Sequence, residues 1–573
     1  MIRSITKLRF EHLRQCVGNH ESRDEQDFLK HLTHLLNLIA NASLPATFMR
    51  VLGGSILIAL HKPGGSPGDV RPIAMGEVYR KLTSSLLVTK SQQKIDTILG
   101  KLQLGVGIKC GVEKIIHLTS AWFSQNAGDI VLIDFSNAFN SVSRDVAFDN
   151  FKTRLPELYP YVHAIYGDVP SLWFNLENNY SSISSSQGAQ QGDPLGPLLF
   201  ALATIPWLED LQRQLHDGFV QAYIDDITQL ASFEAQCRAI QSLRTLAPKY
   251  GLAINFRKFK ILQGRCGSAE LAATRRQHYQ QLCPGILDSN IVTNPEDDQS
   301  YPADAYGLEI LGSPVGSPAF VRNYLRLYVT NTLRQEMSRL DKVTHLQTLW
   351  CYIHYVVNSK ITHLLRTIPP AYTDEFIRDF RDLQIQLTQR AFDIPHADSD
   401  DEVLHAAFHD DMCQSQLSLP IASGGLGLRY YADICQSAYL ASVICCRTHL
   451  SSLPDWTLSA PYFSAQAAYD YWAVNGEFPR TADLKPHNNL EEWLIHPDNI
   501  AIFDKPHLQK QLTTGLNLQR IQGFKGRLTT CTRPSTIIRC GSIDPLSFLS
   551  PLPSPCSVFS VFIASSVLLC HVL

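Results

Sequence analysis

Three aspartates carry the strongest chemical signal in this sequence. Asp134 closes the apolar run DIVLIDF (129–135), and Asp225 and Asp226 lie in a second run, FVQAYIDDI (219–227). Both runs read as buried strands. Carboxylates flanked by apolar residues are costly near a core unless something compensates them. A divalent cation is the natural compensation, because hard Mg²⁺ prefers carboxylate oxygens and substrate phosphates. If the two strands lie side by side, Asp134 and Asp225 converge on one site. Two ions held there could activate a 3′-hydroxyl and stabilise a leaving pyrophosphate. An isolated Asp-Asp pair is usually a solvated turn, so the weight falls on what accompanies it.

The elements that must position these acids are legible in outline. Phe28, Leu32, Leu35, Leu36 and Ile39 recur at helical spacing in a polar stretch, 1–46, which predicts an amphipathic packing helix. GGSILIAL (53–60) reads as a buried strand, followed by a Gly/Pro-rich turn, HKPGGSPGDVRP. A Ser/Gln/Gly-rich loop, SSISSSQGAQQGDP, precedes the apolar stretch LGPLLFALA. Residues 321–392 read as helical throughout, and 393–411 carry seven acids and no Lys or Arg, as a linker or solvated helix start would. ASGGLGLR (422–429) opens a further helical region, and its glycines suit a structural turn better than a phosphate cradle.

The acids do not stand alone. Asp134-Phe135-Ser136-Asn137-Ala138-Phe139 places an aromatic five residues after the first acid, and Gln190-Gln191-Gly192-Asp193-Pro194-Leu195 supplies a glycine turn into a helix. With Tyr223-Ile224-Asp225-Asp226, these resemble motifs A, B and C of reverse transcriptases, most like those of non-LTR (LINE-type) retrotransposons. Arg71-Pro72-Ile73 resembles the fingers signature of that family. Gly251-Leu252-Ala253-Ile254-Asn255 with Lys258 is similar to motif D, and Leu311-Gly312-Ser313-Pro314-Val315-Gly316 to motif E, the primer grip. The resemblance covers about 45–320 and, more weakly, the stretch on to the glycines near 428. Ordered matches of this number are a strong signal, whereas any one would be weak.

The resemblance implies an α+β right-hand polymerase with fingers, an RRM-like palm sheet, a helical thumb and a helical C-terminal extension. It divides the chain into a helical segment (1–46), fingers and palm (47–320), thumb-like helices (321–392), an acidic linker (393–421), a helical extension (422–540) and an apolar tail (541–573). The implied activity is RNA-directed DNA polymerisation on an RNA template from a DNA primer and dNTPs, with no obligatory protein partner. Asp134, Asp225 and Asp226 would bind two Mg²⁺ (Mn²⁺ as a substitute), joined by the Phe135 carbonyl. Phe139 would be the steric gate against a 2′-hydroxyl. That aromatic, with Tyr223, favours DNA over RNA synthesis. Lys62 and Arg71 would close on the triphosphate. Gln191 and Gly192 would contact the nucleotide, and Lys258 would protonate pyrophosphate. Leu311 and Gly312 would grip the primer. Asp193 is equally an N-cap for the following helix. The rival expectation is a decayed or domesticated element that binds nucleic acid without polymerising.

Composition bounds these readings. At 45% hydrophobic and 18% charged, 573 residues exclude a mostly disordered chain. The net charge of −3 conceals uneven parts. Residues 47–114 hold ten basic against four acidic residues, net +6, and 321–392 hold ten against six, net +4. The basic share thus falls where a template and triphosphate would be gripped. Fourteen scattered cysteines make no disulfide scaffold, and with no signal peptide an intracellular setting, nuclear or cytoplasmic, is expected. His405, His409 and Cys413 share helical spacing but lack a fourth ligand for zinc. The apolar end, 556–573, sits at the lower limit of a membrane span. A frame-shifted or mis-predicted end is preferred to a tail anchor, and membrane association is not expected.

Overall fold

The computed structural model describes residues 8–530 apart from 20–21, 63–67, 69, 127, 177–178, 393–410, 424, 454, 477, 479–483, 485 and 504–506. The acidic run, His405, His409 and the apolar tail therefore lie outside the described residues. Two units form: 1–115 with 126–301, and 116–125 with 302–573.

In the first unit, the runs expected to be strands are strands. β1 (Ser55–His61) and β2 (Val70–Gly76) pair antiparallel. β3 (Asp129–Ile133) is followed by a short β4 (Phe135–Ser136). β5 (Ser171–Leu176) pairs with β6 (Asn179–Ser184), and β5 also pairs in parallel with β1, giving a four-stranded sheet β2-β1-β5-β6. Part of the stretch expected to be a Ser-rich loop is thus strand, because Ser181–Ser184 face cross-strand partners on β5.

The second sheet holds the acids. β7 (Phe219–Tyr223) and β8 (Asp226–Ala231) form a hairpin; a short β9 (Ala253–Ile254) pairs with β4; β10 (Lys260–Leu262) and β11 (Ile291–Val292) complete the order β11-β10-β3-β8-β7. Helices Gly196–Gln214 and Phe233–Leu246 pack against this sheet and each other. In chain order β3, helix, β7, β8, helix, β10 is the split β-α-β-β-α-β arrangement, as an RRM-like palm requires. The β-branched residues Ile130, Val131 and Ile133 are almost wholly buried, and Val131 and Ile133 join Leu198, Leu202, Ile240 and Leu243 in one core.

Among its described residues the second unit is helical apart from one hairpin, β12 (Gly307–Ile310) with β13 (Ser313–Gly316). Helix Pro318–Tyr328 places Val321 and Leu325 in a core with Leu349, Ile353, Phe376 and Phe380. The region expected to be helical over 321–392 is a series of helices rather than a single one. The chain leaves helix at 343–345 and again at 368–369, where Pro369 lacks the backbone donor a helix interior needs. Helices Tyr431–Leu450, Ala460–Asn475 and Leu508–Thr530 follow, as expected beyond residue 422. Among the described residues no helix is long and apolar enough to cross a membrane.

Candidate active site

The register of the palm sheet brings the acids together. β3 and β8 are antiparallel with Ile133 opposite Ile227, so the next positions outward are Asp134 and Asp226. Tyr223 pairs with Asp226, which leaves Ile224 and Asp225 as the two turn residues of the β7–β8 hairpin. The segment after Gly251 supports the first acid. Asn255 donates from Nδ2 to Asp134 Oδ1 at 3.0 Å and from its backbone N–H to the Asp134 carbonyl at 3.0 Å. Lys258 Nζ lies 3.7 Å from Asp134 Oδ2.

Electrostatically the cluster is crowded. Burial pushes the Asp134 carboxyl above the ordinary carboxylate range, and the charge of Asp225 adds to this while Lys258 and Asn255 oppose it. Asp226 is pushed up to about 6 by burial and by the negative charges of Asp225 and Asp134. Asp226 still presents surface to solvent, so the crowding of like charges is the part of that shift the geometry supports best. Among the described residues no group of three or more His, Cys, Asp or Glu side chains is arranged to hold a metal ion. The donor set nevertheless suits a hard divalent cation: all three side chains offer carboxylate oxygens, on adjoining strand ends, with a mutual repulsion that positive charge relieves.

The other residues singled out in the first unit lie on separate elements. Phe139, on the helical turn Ala138–Ser141, stacks on Phe200 with centroids 5.7 Å apart, and its carbonyl accepts from Ala189 N–H. Gly192 has φ of 111°, and a Cβ there would fall 2.7 Å from the Ala74 carbonyl oxygen, so only glycine fits. The Gln191 carbonyl accepts from Ala74 N–H at 2.6 Å, fastening this loop to β2. Lys62 follows β1, and Arg71 is exposed on β2 opposite Leu60. Leu311 and Gly312 belong to the second unit, where they form the β12–β13 turn with φ of 49° and 78°, a two-residue turn of the I′ kind. His363 Nε2 meets the Leu311 carbonyl at 3.2 Å.

Two residues that hold the motif B loop carry no mark of that role in the sequence. Arg80 is buried and reaches Asp193 Oδ2 at 2.5 Å and Gln190 Oε1 at 2.8 Å. Tyr166 donates to the same Asp193 oxygen at 2.7 Å. Asp193 Oδ1 also accepts from Leu195 N–H. Leu195, not Asp193, is the N-cap of the helix that follows and no side chain caps it, so Asp193 anchors the loop rather than capping the helix. Arg144 is buried from the other side, donating to the carbonyls of Tyr166, Gln187 and Gly188, and both guanidinium groups lie against the Tyr166 ring. A buried arginine signals a buried partner, but nothing local in sequence names that partner. Of the proposed zinc set, only Cys413 lies among the described residues, where it is buried.

Residues 60–307 match the reverse transcriptase (RNA-dependent DNA polymerase) family. The chain carries a reverse transcriptase domain. The match spans the palm acids, Phe139, Gln191, Gly192 and Lys258, and ends before Leu311. A retrotransposable element SLACS 132 kDa protein of Trypanosoma brucei gambiense is 22% identical over 407 residues, covering 70% of this chain. The chain spans 30% of the length of that relative. The retrotransposon relative agrees with the resemblance to the non-LTR group. Solved structures of Candida telomerases are also similar. That of apo telomerase from Candida tropicalis is 10% identical with a TM-score of 0.36, covering 81% of this chain and 68% of that one. That of Candida albicans telomerase in complex with a telomeric RNA fragment is 11% identical with a TM-score of 0.33, covering 65% and 63%. At these scores the overlap is partial, and the right-hand polymerase assignment rests on the reverse transcriptase match and the palm's own strand order.

Proposed function

We propose that this chain polymerises DNA on an RNA template for a retrotransposon, adding deoxynucleotides to a primer 3′-hydroxyl. The observation that carries this reading is the crowding of Asp134, Asp225 and Asp226 on adjoining strand ends, with Asp226 pushed up to about 6, inside a reverse transcriptase domain. Asp134, Asp225 and Asp226, with the Phe135 carbonyl, would hold two Mg²⁺, or Mn²⁺ in their place. When bound, such ions supply Lewis acidity to the attacking hydroxyl and the leaving pyrophosphate.

The chain's own side chains do the positioning. Asn255 fixes the orientation of the Asp134 carboxylate. Phe139, locked against Phe200, presents a ring that leaves a deoxyribose room and a 2′-hydroxyl none. Gly192 lets nucleotide and template approach backbone closely, beside Gln191. Lys62 and Arg71 neutralise triphosphate charge from the β1–β2 pair, and Lys258 is placed to pass a proton to pyrophosphate. The Leu311–Gly312 turn bears on the primer. The setting is intracellular, nuclear or cytoplasmic, and no obligatory protein partner is required.

The test is extension of a DNA primer on an RNA template with dNTPs by the purified chain. Wild type should extend and Asp225→Asn should not. A well-folded wild type that shifts template RNA in a gel but extends nothing would overturn the polymerase and leave the decayed, nucleic-acid-binding element.

A further inference from the structure

The catalytic turn contains a backbone conformation that its own residue disfavours. Ile224, the first of the two turn residues, has φ of 58°, whereas Asp225 after it does not have positive φ. A two-residue hairpin turn with positive φ at its first position alone is the II′ kind, which calls for glycine there. A β-branched side chain at positive φ is an outlier that persists only when its surroundings over-determine it.

Ile224 packs against the core, and its backbone is held by one buried side chain from another part of the fingers and palm. Gln103 is fully buried. Its Oε1 accepts the Ile224 backbone N–H at 2.8 Å, and its Nε2 donates to the Ile224 carbonyl at 3.0 Å. One amide therefore grips both backbone polar groups of the strained residue, and only one orientation of the amide satisfies both. The gripping residue is itself fixed. Leu104 N–H donates to the Ala222 carbonyl and Ala222 N–H to the Leu102 carbonyl, each at 2.7 Å, so 102–104 run as a further short rung beside β7. Gly105 N–H donates to Gln103 Oε1 at 3.1 Å, and a Cβ on Gly105 would fall 2.6 Å from Ile224 N, so glycine is needed for the approach.

We infer that Gln103 is a positioning residue of the catalytic turn. Its amide holds Ile224 in the left-handed conformation and thereby sets where Asp225 and Asp226 stand relative to Asp134. Gln103 touches no reacting atom; it acts through the backbone of Ile224. The role rests on the reading of these acids as catalytic, whereas the clamp is a property of the fold.

The test compares Gln103→Met, near in shape but unable to make either bond, with wild type. Two measurements are made: primer-extension kinetics, and hydrogen exchange followed in peptides spanning 219–231. Exchange at the turn should accelerate while β3 stays protected. The kcat should fall about 100-fold, the scale of an ångström-sized misplacement, with KM for dNTP nearly unchanged. Adding Ile224→Gly, which accepts positive φ without strain, should recover about tenfold of the lost rate; a purely structural role for Gln103 predicts no such rescue. A folded Gln103→Met with wild-type rate and wild-type exchange overturns the inference, and so does a double variant no faster than the single one. If Gln103→Met does not fold, Gln103→Glu keeps the acceptor and loses the donor. It should then be intermediate in rate and exchange, and wild-type behaviour in both overturns the inference. Exchange does not depend on activity. An inactive wild type whose turn loosens on substitution therefore overturns the polymerase and upholds the clamp.

Discussion

The two ends of β3 each carry an aspartate, and they are treated in opposite ways. Asp129, at the start, is wholly buried; Tyr279 donates its hydroxyl to Oδ2 at 2.6 Å and Gly264 its backbone N–H to Oδ1 at 2.7 Å. Asp134, just past the end, keeps 31% of its side-chain surface exposed and faces Asp225 and Asp226. Burial raises both carboxyls above the ordinary range. What separates them is the company. Neutral donors satisfy Asp129 within the protein, whereas Asp134 is left in a cluster with surplus negative charge. A raised carboxyl is thus a weak mark of function by itself, and unrelieved like charge is a stronger one.

That contrast is broken or sharpened most directly by substituting each acid with its isosteric amide. Asp134→Asn should lower primer extension by about 10³-fold or more, the scale of several kcal/mol in transition-state stabilisation, with little change in thermal unfolding. Asp129→Asn should do the reverse. Activity per folded molecule should stay near wild type, while stability falls by about 1–3 kcal/mol through the disturbed buried hydrogen bonds. An Asp129→Asn protein that is stable but inactive would remove the distinction.

A third acid extends the comparison. Asp193 is buried like Asp129 but neutralised by an arginine, with Arg80 and Asp193 both nearly inaccessible. Arg80→Met leaves that carboxylate buried without its counter-charge, a loss of about 3–5 kcal/mol, read as early unfolding in urea. Milder unfolding, by under about 1 kcal/mol, would mean that Tyr166 and Leu195 N–H suffice to hold the charge.

These cases also separate the features that the sequence makes legible from those it hides. Asp134, Phe139, Asp225 and Asp226 are singled out by residue type and chain-local spacing: an acid after an apolar strand, an aromatic five positions on and a neighbouring pair of acids. The clash with Ala74 that requires glycine at 192 is visible only in the fold. The palm strands at 129–135 and 219–227 are legible as apolar runs, whereas the RRM-like order in which they pair is what the family resemblance implies. Arg80 and Gln103 are not legible. Their partners lie 113 and 121 residues away, at Asp193 and Ile224, and an Arg or Gln in a mixed helix or loop has no local signature of what it holds. The break at 343–345 leaves no mark either, because helical spacing continues across it.

A smaller effect concerns the sugar. Phe139 is fixed by its stack on Phe200, not by the acids, so Phe139→Val should leave the carboxylate cluster intact while opening space beneath the ribose. Discrimination between deoxy- and ribonucleotides should fall about 10–100-fold in kcat/KM, the worth of a pocket contact of this size. Unchanged discrimination would move the gate elsewhere.

The smallest expected effect tests the surplus charge itself. Asp226 rises from 3.8 to about 6 on folding, so the folded chain holds a proton that the unfolded chain releases between those values. The stability linked to this group is therefore present below about pH 4 and lost as pH rises through 6. Because Asp226 is partly in contact with solvent, screening limits the change to about 1 kcal/mol or less. Asp226→Asn should flatten this part of the pH profile, and Asp129→Asn should leave it in place. Mg²⁺ should act in the same window with opposite sign, since ligation requires the deprotonated carboxylates. Added Mg²⁺ should raise the unfolding temperature at pH 8 and have little effect at pH 5. An equal effect at both pH values would show that the ion binds elsewhere, and the cluster around Asp134 would then differ from Asp129 only in its exposure.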